Sequence, residues 1–152
     1  MTTQLPQNGT KTLYEQDFYL WIKTTAKLLC ERKLDQIDYE NLIEEIESMG
    51  RSEKRELKNR LIVLLTHLLK WKYQVDKRSE SWTNTIKEQR RQINFLLEDS
   101  PSLKPYYLEI FDKCYSFARS DAAEETKLSI NTFPQNSPFT PEKTLDPDYL
   151  HD

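Results

Sequence analysis

A chain of 152 residues with 37% hydrophobic, 31% charged and 11% aromatic side chains is long enough for one self-standing domain and too rich in large side chains for global disorder. With two glycines and two cysteines it offers neither a glycine-lined phosphate cradle nor a disulfide scaffold, and no run approaches the roughly 20 apolar residues that span a bilayer. The net charge of −3 conceals a segregation: residues 13 to 50 carry 4 basic and 9 acidic groups, residues 51 to 91 carry 12 and 5, and residues 92 to 152 carry 5 and 11.

The first stretch, MTTQLPQNGTKT, lacks the apolar segment of a signal peptide. Residues 1–12 therefore read as a flexible N-terminus and the chain as cytoplasmic. Prolines stand at 6, 101, 105, 134, 138, 141 and 147, which leaves a long stretch free of the strongest helix breaker, with Gly50 its only glycine beyond Gly9. Thr12-Leu13-Tyr14-Glu15 has the form of a capping box, and Phe18, Trp21, Ile22, Ala26 and Leu29 follow at spacings of three and four. A first helix is expected there, to about Arg32, with that stripe in the core. Asp38 can cap a second helix through Tyr39, Leu42, Ile43, Ile46 and Met49, with Gly50 closing it.

A third helix, from about Ser52 to Tyr73, carries Leu57, Leu61, Leu64, Leu65 and Leu68 and is expected at the centre of the fold. Ser81 can cap a fourth, with Trp82, Ile86, Ile93, Leu96 and Leu97 on one face and its end before Ser100-Pro101. A fifth runs from near Pro105 to about Thr126 on Leu108, Phe111, Cys114, Tyr115, Ala118 and Ala122. Beyond it the periodicity fails and four prolines accumulate, with one short cap signal at Thr140-Pro141. The expected fold is all-α: a compact bundle of about five helices over 13–126, and a Pro-rich, extended C-terminal arm over 127–152. Phe133, Phe139, Leu145 and Tyr149 are too many apolar anchors for a free tail, so the arm is expected to pack on the bundle or on a second subunit.

Chemistry is sparsely signalled. His67 is the most catalytic-looking residue, because carboxylates such as Glu45 and Glu125 on the second and fifth helices could surround it. Its plainer role is a hydrogen-bonded histidine beside the core, since the other histidine is the penultimate His151 and no Glu-x-x-His pair is present. Cys30 and Cys114 fit no zinc or CxxC spacing and read as reduced thiols. No cofactor or metal is called for. No P-loop, GxGxxG, GxSxG, HExxH or EF-hand pattern occurs. The basic middle, which includes Arg55, Lys70, Arg90 and Arg91 with Trp71 and Trp82 interleaved, suits an anionic partner. Salt-bridge matching between neighbouring helices explains much of the same pattern.

Several stretches, YEQDFYLWIKTTAKLL, DYENLIEEIESMGRSEKRELKNRL, LLTHLLKWKYQ, SESWTNTIKEQRRQINFLLEDSPSL and ETKLSINTFPQNSPFTPEKTLDPDYL, together resemble the bacterial, largely cyanobacterial, domain-of-unknown-function 29 family. The resemblance covers nearly all of residues 14 to 150. It implies a short helical protein without an assigned activity, cofactor or substrate. The family pattern passes through His67-Leu68-Leu69-Lys70-Trp71, Ser81-Trp82, Thr85-Ile86, Gln89-Arg90 and Glu125-Thr126. Where its tail has Pro-Trp-Thr, this chain has Pro138-Phe139-Thr140.

The function expected from these readings is that of a small soluble interaction or adaptor protein, binding a protein partner through a surface that includes Arg55, Lys70, Trp71, Trp82, Arg90 and Arg91. A nucleic-acid-binding module using the same surface is one alternative; a metal-dependent or acid-base enzyme around His67, Glu45 and Glu125 is another. A homodimer stays open, and no membrane partner is expected.

Overall fold

The computed structural model describes residues 13–150, and among them no strand occurs. The fold is all-α. Among the described residues, besides a helical segment at 13–16, five helices are bounded by the chain's own caps and breakers: α1, Phe18–Cys30; α2, Tyr39–Tyr73; α3, Glu80–Asp99; α4, Lys104–Thr126; and the short α5, Pro141–Leu145. Two units share the chain, Met1–Ser52 and Glu53–Asp152. No described helix is long and apolar enough to cross a membrane.

In the first unit, residues 13–16 are helical, but the helix restarts at Asp17, whose carboxylate accepts from the Leu20 amide at 3.0 Å and caps α1. The capping role expected of Thr12 lies outside the described residues. Asp38 caps α2 as its position before Tyr39 suggests, accepting from the Asn41 amide at 3.3 Å.

The expected stop at Gly50 is overturned. Helix α2 runs unbroken for 35 residues, with Gly50 inside it and not in the left-handed region. Glutamates, lysines, arginines and leucines dominate the neighbourhood and no proline follows, so one glycine, costing about 1 kcal/mol, cannot break the run. The Glu44–Arg51 pair, 2.7 Å apart, spans it. A Cβ at position 50 would meet nothing within 4 Å. Gly50→Ala is therefore expected to stabilise the protein by about 0.5–1 kcal/mol, read as a raised denaturant midpoint at unchanged slope.

The second unit has a conventional core. Leu57, Leu61, Leu64, Leu65, Leu68 and Leu69 of α2 are buried with Ile86, Ile93 and Leu97 of α3, and with Tyr107, Ile110, Phe111, Cys114, Tyr115, Ala118 and Ala122 of α4. The cap of α3 is Ser79 rather than Ser81; its hydroxyl accepts from the Trp82 amide at 3.3 Å. Helix α4 carries Pro105 in its first turn and closes on Lys127, a non-glycine residue in the left-handed region.

After α4 the backbone loses its own helical partners, and side chains of α3 and α4 take up its carbonyls instead. Arg119 Nε donates to the Phe133 carbonyl at 2.9 Å, Tyr115 to that of Pro134, and Tyr107 to that of Pro141 at 2.7 Å. Phe133 and Phe139 are buried in the same core. Thr140 caps α5 through the Lys143 amide at 3.1 Å.

Candidate functional site

Four of the residues singled out in the sequence meet in the second unit. The Lys70 ammonium lies 3.7 Å from the Glu125 carboxylate and 5.0 Å from the centre of the Trp82 ring, and His67 stands within the field of both charges. The His67 ring points back along its own helix. Its Nδ1 lies 2.9 Å from the Val63 carbonyl, which can only accept, so Nδ1 carries the proton and donates. Trp71 is covered by Arg78, whose guanidinium carbon is 4.5 Å from the ring centre and whose Nε donates to the Trp71 carbonyl at 2.8 Å. These charges and rings are spent on one another. Glu45 belongs to the first unit, where it accepts from the Tyr14 hydroxyl, a bond that holds the phenol above its usual pKa. Among the described residues no group of three or more His, Cys, Asp or Glu side chains could hold a metal ion.

Burial lowers the His67 pKa; the Val63 bond opposes that, the Lys70 charge adds to it and the Glu125 charge again opposes it. The folded protein thus binds the proton less readily than the unfolded chain, and stability falls as pH drops through about 6.5 toward the lower folded value. His67→Gln is expected to flatten that segment of the stability-against-pH curve, measured by denaturant titration at stepped pH, while leaving stability at pH 8 little changed.

Of the expected basic surface, Arg90 is not on the surface at all. It is 3% exposed, its Nε donating to the Thr144 carbonyl at 2.9 Å. The reason was visible in the spacing: positions 86, 90, 93 and 97 form one helical stripe, so Arg90 occupies a core position of α3. Lys54, Lys58 and Lys72 lie over the rings of Tyr106, Phe117 and Phe139, and Arg60 pairs with Glu56 at 2.9 Å. Arg55 and Lys87 are exposed and make no ion pair among the described residues, while Arg91 is exposed and bound to Glu88 at 3.0 Å. Lys87, Arg91, Asn94 and Phe95 border a groove of about 610 Å³ against Pro147 and Asp148.

The site that the sequence reading missed is apolar and lies in the first unit. Ten of the seventeen exposed large apolar side chains among the described residues fall between Phe18 and Met49, so they concentrate on about a fifth of the chain. The stripe expected to be core is therefore open in large part: Trp21 is buried, yet Phe18, Ile22, Ala26 and Leu29 are exposed. With Leu42, Ile46 and Met49 of α2 they line a groove of about 430 Å³, which Glu45 alone among its lining residues charges. Ile46 is 60% and Met49 68% exposed. Periodicity had placed these residues on one face correctly; it carries no information on whether that face meets the same chain or another one.

The floor of this groove is chemically incomplete. Trp21 is 2% and Thr25 4% exposed, one helical turn apart, and neither the indole Nε1 nor the Thr25 hydroxyl has a hydrogen-bond partner among the described residues. A buried polar atom without a partner costs on the order of 1–3 kcal/mol, and most such atoms in folded proteins are satisfied.

A family model described as a domain of unknown function, DUF29, matches residues 13–150. No curated protein and no solved structure matches the chain.

Proposed function

The chain belongs to the DUF29 family, and from that membership, which brings no activity with it, we propose that the protein is a helical interaction module that docks a helix of a partner protein in the apolar groove of its first unit. The observation that carries this reading is the groove between α1 and residues 42–49. Apolar patches of this kind on a folded chain are docking faces more often than idle surface, and a two-helix wall with anchors at three- and four-residue spacing suits a third helix. The charged cluster at His67, Lys70, Trp82 and Glu125 supports no comparable role, because Lys70 is engaged by Glu125 and the Trp82 ring, and His67 by the Val63 carbonyl.

A photo-crosslinking residue placed at position 46 in living cells tests the proposal. A discrete protein adduct is expected, and Ile22→Glu or Met49→Glu should abolish it without loss of helicity, since both side chains are exposed. The second reading, nucleic-acid binding, is supported by the groove at Lys87, Arg91 and Phe95. A nuclease-sensitive adduct from position 87, with none from position 46, would decide for it; the binding would then weaken steeply as salt rises.

A further inference from the structure

The groove also carries marks of what fills it. Its α1 wall presents positions 18, 21, 22, 25, 26 and 29, and its α2 wall positions 42, 45, 46 and 49. Both rows follow the i, i+3, i+4, i+7 rhythm against which the side chains of another helix interdigitate. From Phe18 to Leu29 the wall rises about 17 Å, the length of three helical turns. The segment that builds the groove is acidic: residues 13 to 50 carry 9 acidic groups against 4 basic ones. Of the acidic groups on α2 near the groove, Glu44 is taken by Arg51, whereas Glu45, within the wall, accepts from the Tyr14 hydroxyl and makes no ion pair among the described residues, and Glu47 is exposed.

Resting on the docking reading above, we propose that the occupant is a basic amphipathic helix of about three turns. Aliphatic anchors on one face fill the apolar groove, and a lysine or arginine on its flank reaches Glu45. A second copy of the chain is the poorer occupant, because it would bring the same acidic excess to the same face. The apolar walls supply the attraction, and Glu45 with the acidic excess of the segment selects the sign of the partner.

The test uses the full chain with two fluorescently labelled synthetic helices of about 14 residues, one of leucine and lysine and one of leucine and glutamate in the same apolar pattern, read by anisotropy at about 0.15 M salt. Saturable binding of the Leu/Lys helix alone is expected. Ile46→Glu should weaken it at least about tenfold, and Glu45→Gln, which keeps an acceptor for Tyr14, about threefold to tenfold. Equal binding of both helices, weakened by an apolar break at Ile46 (Ile46→Asn), would overturn the basic occupant and leave groove docking standing. Leu/Lys binding that ignores Ile46→Glu would mark diffuse electrostatics and overturn the proposal. Binding of neither helix by a chain that sediments as a dimer, with Ile46→Glu giving monomers, would assign the groove to a second copy. Binding of neither by a monomer would remove both the occupant and the docking reading.

Discussion

Phe133→Ala is expected to lower the stability of the second unit by about 3–5 kcal/mol, enough to bring an ordinary domain close to its unfolding threshold. Phe133 is 1% exposed, in a segment with no regular helix of its own, and its ring stands edge-on to Tyr73 at 5.7 Å. Truncation would remove that pairing and leave a void between α2, α4 and the returning chain. It would also loosen the backbone whose Phe133 and Pro134 carbonyls accept from Arg119 and Tyr115. The exposed neighbour Gln135→Ala, by contrast, should stay within about 0.5 kcal/mol. Equilibrium denaturation of both variants checks the pair. A small effect at Phe133 would mean that the C-terminal segment contributes little to the core.

Arg90→Ala is expected to cost about 2–4 kcal/mol, although a lone arginine substitution on a helix surface would cost almost nothing. The guanidinium donates to the Thr144 carbonyl at 2.9 Å and contacts that of Lys143 at 3.5 Å, closing α5 onto α3. Burial lowers the Arg90 pKa, with the Asp146 charge opposing the shift. Alanine would leave two carbonyls short of a donor and a gap beside Ile86 and Ile93. Arg90→Met fills the gap without supplying a donor, so its cost should fall between those of wild type and alanine. If Arg90→Ala behaves as a surface change and instead weakens ligand binding, Arg90 belongs to a recognition surface after all.

Much of the architecture was legible because helix formation is local. The Asp38 and Thr140 caps, the start of α4 near Pro105 and the leucine face of α2 follow from neighbours a few residues away. Gly50 was misread because a glycine that closes a helix and one inside a helix look alike until the strength of the flanking helix formers is weighed. Arg90 shows the complementary failure, a charge assigned to the surface by its type when its position on the 86, 90, 93, 97 stripe placed it inside. The candidate groove was hidden more deeply. Its residues were recognised as one apolar face, but the orphaned Trp21 and Thr25 atoms and the exposure of Ile46 and Met49 depend on which neighbours the chain fails to provide.

The most direct measurement is amide hydrogen exchange on the full chain, with and without the Leu/Lys helix. Slower exchange confined to α1 and residues 39–49, with α4 unchanged, is the predicted result. Protection centred on α3 near Lys87 and Arg91, or no protection anywhere, would contradict the groove of the first unit as the docking site.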